Sequence, residues 1–227
     1  CVGAPWNMVA SERGVGRIVA AKQDIWPSAP EKVVGIRPDW AATNSDTVSR
    51  LIVALDAADD AEPLKAHPDR AQMLDAGPRD AQEMLADTRY IATEVSIIRR
   101  VLAGEFSLDA KGNQRLLLDY FVFHRQNANY PRPSQALWIY SQMIRWGQVG
   151  FSEKGSQQAA SAFRPDIYRQ ALGDAAAPDD GDIRIEGTTE GDRFMDAMVF
   201  DPADIDAYVG AFPVGSRHHQ TSTSHDF

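Results

Sequence analysis

An adjacent Glu31 and Lys32 stand in the stretch DIWPSAPEKVVG, residues 24 to 35, after two prolines and ahead of an apolar run. Taking an ion out of water is costly unless it is paired, so a charged pair at the mouth of what reads as a buried strand needs a reason. One reading is a lysine that snorkels to the surface beside a local acid. The other is an ammonium kept for an anion. Spacing alone favours the first.

The other candidates for chemistry are weaker. The histidines are His67, His124, His218, His219 and His225, and none sits in a metal-ligand spacing. His218 and His219 read as a solvated pair, and His124, after YFVF, as a hydrogen-bonded structural histidine without a catalytic partner. The acid pairs Asp59-Asp60 and Asp179-Asp180 fall at a helix end and in a loop, where solvated charge is the ordinary explanation. No G-x-S-x-G, P-loop lysine motif, G-x-G-x-x-G or C-x-x-C occurs, and the two glycines of RGVGR are a turn signal of little specificity. No catalytic residue, metal site or cofactor is expected.

The elements that would position Lys32 can be read from the pattern. VGRIVAA (15 to 21) and EKVVGIR (31 to 37) are β-branched and bounded by Gly and Pro, as strands buried on both faces are. Residues 45 to 63 place Val48, Leu51, Ile52 and Leu55 at helical spacing behind a capping Ser45 or Asp46. Short helices are expected after His67-Pro68, through Met73 and Leu74, and after Pro78; another ends at Gly104. LLLDYFVFH (116 to 124) reads as a strand or extended core segment. A long helix starts at Pro133 and Ser134 and buries Leu137, Tyr140, Met143 or Ile144, and Trp146. SEKGSQQAAS is polar, RPDIYRQALG is a short helix stopped by Gly173, DAAAPDDGD is a flexible loop, and a last helix has Asp201 as N-cap and Pro202 at its first position. Most tryptophans read as packing residues, with Trp6 and Trp26 set apart because they flank strand ends, where clefts of α/β sheets open.

The 227 residues carry 32 acidic and 23 basic side chains, a net charge of -9, with no lysine or arginine stripe for neutralising phosphates. No direct nucleic-acid partner is expected. No apolar stretch approaches the roughly 20 residues that cross a bilayer. One cysteine excludes an internal disulfide framework but leaves the compartment open. A lipidated start at Cys1 is one reading, but CVGAPWN runs into folded-looking sequence without a polar tether, so a fragment of a longer protein is expected. Residues 1–212 are expected to form one portion of a larger domain and 213–227 a disordered tail.

Taken in order, CVGAPWN, DIWPSAPEKVVGIR, NYPRPSQALWIYSQMIRWGQV and FDPADIDAYV resemble the nitrate- and bicarbonate-binding proteins of ABC transporters and their cytoplasmic nitrate-sensing relatives. The resemblance implies an α/β fold of the second periplasmic-binding-protein type, with two lobes. The C-V-G-x-P-W motif lies well inside such chains, so it also implies the C-terminal part of one, helix-rich after residue 38. The lysine of the family's P-E-K motif reaches the oxyanion, and Lys32 matches it. Glu31 would orient that lysine, and Trp6 and Pro5 would wall the pocket. Ala4 stands where transporter members often carry glutamate, which argues against a metal site and favours nitrate or nitrite over bicarbonate. Gln142 looks more like the sensing branch.

The expected function is then a cytoplasmic, non-enzymatic nitrate or nitrite sensor that controls an RNA-binding antiterminator partner. The alternative is the binding component of a nitrate or bicarbonate ABC transporter, periplasmic or membrane-anchored, working with a permease and an ATPase. An enzyme with an unrecognised site is a weaker third reading.

Overall fold

The computed structural model describes residues 2–59, 79–118, 120–122 and 127–213. All five histidines, the helix expected after His67-Pro68, Asp60 and all but the first residue of the expected tail lie outside these. The chain divides into two compact units, Cys1–Ala21 with Leu55–Arg125 and Lys22–Ala54 with Gln126–Phe227.

The first unit is built on α1 (Trp6–Glu12), α5 (Arg79–Ala86), α6 (Val95–Ala103) and a two-stranded antiparallel sheet of β1 (Glu105–Ser107) and β2 (Gln114–Leu116). The strands pair Phe106 opposite Arg115. Asp109 closes their turn by accepting the Lys111 amide at 2.9 Å and the Asn113 side-chain amide at 2.8 Å. Helix α6 stops where expected: Gly104 takes a left-handed φ of 76°, a conformation that costs a side-chain-bearing residue, and its amide returns to Val101 and Arg100. Met8, Val9, Ile97, Val101, Phe106 and Leu117 form the core. Polar groups tie its edge, with Arg100 bonded to Glu12 and donating to the Ser107 hydroxyl at 2.6 Å.

The second unit holds α2 (Lys22–Ile25), α3 (Pro38–Thr43), α7 (Pro133–Arg145), α8 (Glu153–Ala162), α9 (Pro165–Leu172) and α10 (Ile205–Gly210); α4 (Ser45–Asp59) contains the point of division between Ala54 and Leu55. Proline opens α3, α7 and α9 at a position where its missing N–H costs nothing. Helix α7 buries Leu137, Tyr140 and Ile144, while Met143 and Trp146 face out. Around it pack Trp26, Phe194, Phe200, Ile205, Tyr208 and Phe212. Trp26, fully buried, has ring centroids 4.7 Å from both Trp138 and Phe194, so it is a core residue and not the wall of a cleft.

Several expectations are corrected. Residues 15–21 and 31–37 form no strand: Ile18 donates to the Leu108 carbonyl at 2.8 Å without continuing a ladder, and Val33 and Val34 are 69% and 60% exposed. The β-branched pattern is that of two-face burial, and no neighbouring strand among the described residues supplies it. Of the strand or extended core segment expected over 116–124, the strand ends at Leu116, while Leu117 is buried in the core and Tyr120 and Phe121 pack against it. The polar run after Phe151 is helix α8, nucleated by Ser152, whose hydroxyl accepts the Gly155 amide at 3.0 Å. Helix α10 begins later than expected. Asp204, not Asp201, caps it by accepting the Ala207 amide at 3.1 Å, while Asp201 closes the preceding turn on Ala203.

One glycine is fixed by both conformation and space. Gly187 has φ of 86°, and a Cβ there would lie 2.6 Å from Cδ2 of Phe194 and 3.0 Å from the Met198 carbonyl. Left-handed strain and overpacking add, so Gly187→Ala should cost about 2–4 kcal/mol. Urea denaturation checks it, and an unchanged midpoint would refute the packing described here.

Candidate functional site

Lys32 sits on an irregular segment that leaves α2, passes through Pro27 and Pro30, and exposes its charged pair. Its side chain is 72% exposed and its Nζ lies 3.5 Å from Oε1 of Glu31. A second ammonium belongs to the same turn. Lys22, at the start of α2, folds back to donate to the Ala29 carbonyl at 3.3 Å. Burial pushes the Lys22 pKa down; the Glu31 carboxylate opposes this and the Lys32 ammonium adds to it. Two ammoniums and one carboxylate therefore act on each other within one short stretch. Nothing in the sequence singled out Lys22, because its approach depends on the backbone doubling back over seven residues.

Pro5 and Trp6 begin α1 in the first unit, whereas Glu31 and Lys32 belong to the second. Pro5 is buried and Trp6 is 48% exposed. A groove in the first unit is lined by Glu12, Arg13, Thr88, Thr93 and Glu94. Two carboxylates against one guanidinium make it a poor host for an anion.

The turn that carries Lys32 is backed by a polar network in the second unit. Asp192, nearly buried in the turn Glu190–Asp192, accepts the indole N–H of Trp26 at 2.7 Å, the Ser28 hydroxyl, and the Gly187 amide at 2.7 Å. Arg184 lies 3.8 Å from Asp192 and donates its Nε to Glu186 at 2.9 Å. Glu186 is fully buried and accepts the Ser134 hydroxyl at 2.6 Å. Its pKa is raised by burial, against the pull of Ser134 and Arg184.

The segment DAAAPDDGD is not a free loop. It opens with a 3-10 turn, Asp174–Ala176, and Asp180 then accepts from the buried Arg132 at 2.6 Å and from Arg184 at 3.3 Å. Burial would raise the Asp180 pKa, but these two guanidiniums hold it below the usual range. Asp182 accepts from Arg169 at 2.6 Å and from the Tyr130 hydroxyl at 2.5 Å. Solvated charge was the wrong expectation at Asp180, because its cations arrive from 48 residues away in sequence at Arg132 as well as from Arg184. Among the described residues no group of three or more His, Cys, Asp or Glu is placed to hold a metal.

The turn after α2 thus brings the Lys22 ammonium within electrostatic influence of Glu31 and Lys32. The backbone of the chain superposes on the crystal structure of the periplasmic nitrate-binding protein NrtA from Synechocystis with a TM-score of 0.71 at 22% identity, over 94% of this chain and 53% of that one. The fold is thereby periplasmic-binding-protein-like. Residues 1–75 match the model of the NMT1-like family. The sequence is 31% identical to the nitrate import ATP-binding protein NrtC of Synechocystis sp. over 94% of this chain and 30% of that protein. It is 27% identical to the nitrate/nitrite binding protein NrtA of Synechococcus elongatus over 92% of this chain and 44% of that one. These likenesses support a relation to the nitrate- and bicarbonate-binding proteins of ABC transporters. The chain spans about half the length of the binding proteins it matches and 30% of the ATP-binding protein.

The Tyr130 hydroxyl gives a readable signal from the network. Burial, then the bond to Asp182, pushes its pKa up from 10.0 to about 12. A raised pKa in an acid means that the neutral form is favoured by folding. The stability this brings is complete below pH 10 and is lost as pH rises through about 12. Stability measured across this window should fall with pH in the wild type and fall less steeply in Tyr130→Phe; identical slopes would refute the assignment.

Proposed function

We propose that this chain contributes the lysine contact of a small-oxyanion site, with nitrate or nitrite as ligand, in the solute-binding part of an ABC transport system. The observation that carries this reading is Lys32, held with Lys22 and Glu31 on one turn, within a sequence whose relatives bear the names of nitrate-binding and nitrate-import proteins. An ammonium offers three donors without a fixed plane, which suits an anion accepting from several directions. Glu31 limits where the Lys32 ammonium rests, and binding of the anion then exchanges one charged partner for another. A ligand is bound and released without chemical change, so the protein is no enzyme.

The transport reading is better supported than the sensing one. The relatives' names speak of binding and import, and the relative of known structure is periplasmic, which supports an exported protein ahead of a cytoplasmic one. The partners that follow are a permease and an ATPase. A cytoplasmic sensor holding an antiterminator would co-purify with that RNA-binding protein and release it on addition of nitrate.

Calorimetry with nitrate, nitrite and bicarbonate on the intact protein tests the proposal. Loss of a charged hydrogen bond costs about 1.5–3 kcal/mol, so Lys32→Ala should weaken nitrate binding by roughly ten- to hundredfold. Circular dichroism should show the fold unchanged, since the side chain is largely in solvent. Unaltered affinity would return Lys32 to the role of a surface lysine.

A further inference from the structure

We propose that Asp192 is the positioning residue for Lys32, acting by fixing the turn that carries it; this rests on Lys32 being an anion contact. Asp192 lies 166 residues from Trp26 in the chain, yet one of its oxygens accepts both the Trp26 indole N–H, at 2.7 Å, and the Ser28 hydroxyl. Its other oxygen accepts the Gly187 amide at 2.7 Å, which fixes the carboxylate to its own side of the contact. Trp26 cannot rotate away from this bond, because its ring is fully buried between Trp138 and Phe194.

A second strap lies close by, where the Met195 amide donates to the Ile25 carbonyl at 2.8 Å. The backbone is thus tied on the Asp192 side at Ile25, Trp26 and Ser28. Only three residues separate Ser28 from Lys32, a span of four chain steps that reaches at most about 14 Å. Pro30 lies among them and Pro27 just before, each with φ held near one value. Lys22 Nζ on the Ala29 carbonyl shortens the free length further. The position of the Lys32 backbone is therefore set from the Asp192 carboxylate through a short, stiffened tether.

The charge state of the residue matters to this role. A carboxylate only accepts, and its two oxygens take all three donors here. In an asparagine one oxygen becomes an NH2 group and must face either the Gly187 amide or the Trp26 and Ser28 donors. One side of the clamp then opens while side-chain volume is kept.

The test compares wild type with Asp192→Asn in the intact protein, each with Lys32 and with Lys32→Ala. Nitrate affinity is measured by calorimetry, and backbone hydrogen exchange is followed over residues 25–33. Asp192→Asn should weaken nitrate binding about tenfold when Lys32 is present, the size of one misplaced charged bond. It should add no loss when Lys32 is already alanine, and residues 28–33 should exchange faster. Equal losses in the two backgrounds, or unchanged exchange, would overturn the positioning role. If Asp192→Asn does not fold, Ser28→Ala, which leaves Asp192 its bonds to Trp26 and Gly187, should show the same pattern at smaller size. Should Lys32→Ala alone leave nitrate affinity unaltered, the anion-contact reading fails, whatever the exchange data say of the clamp; exchange left unchanged alongside a strong Lys32→Ala effect defeats the clamp alone.

Discussion

Arg184 links three carboxylates of the second unit. Its guanidinium faces Glu186 at 2.9 Å, Asp180 at 3.3 Å and Asp192 at 3.8 Å, so one cation answers three carboxylates. Without it Glu186, fully buried, would be an uncompensated charge beside the aromatic core, a situation that costs several kcal/mol. The planar fork of arginine suits the task, because it offers donors in several in-plane directions where lysine offers a point charge. Through Asp192 the same cation supports the turn at Trp26 and Ser28, and through Asp180 it meets Arg132. The apolar core and the turn that carries Lys32 thus share one electrostatic anchor.

Much of the helical framework was legible because its signals are local. Pro133 at the start of α7, Pro165 at the start of α9, and Gly104 and Gly173 at helix ends each act within one turn of chain. The choice between Met143 and Ile144 as the buried position needed a partner surface, and so did the start of α10, where Asp201 and Asp204 are equally good caps on paper. The clamp was not legible at all. Asp192 in TTEGDRF looks like one more acid in a turn, and its meaning lies in a tryptophan 166 residues away. Lys32 stood out only through the motifs around it, since Glu31 beside it makes a surface ion pair an adequate explanation.

The two misread strands show where a sequence pattern exceeds local structure. Val33 and Val34 are consecutive in a segment without regular secondary structure, and both side chains are largely exposed. An apolar pattern records what evolution expected to cover a segment, not what the nearest chain provides. Apolar surface in this state is the kind that marks a contact with further polypeptide.

A chain of net charge -9 is at first sight a poor binder of anions. At physiological ionic strength charges farther apart than about 8 Å are largely screened, so the total matters less than the groups within a few ångströms of the ligand. In the proposed site Lys22 and Lys32 would supply two positive charges and Glu31 would remove one. Mutual repulsion of the two ammoniums is eased by Glu31 while the site is empty, and a monoanion entering between them would take over that duty. In the proposed site such an exchange would favour release as well as capture, because the Glu31 carboxylate lies 3.5 Å from the lysine.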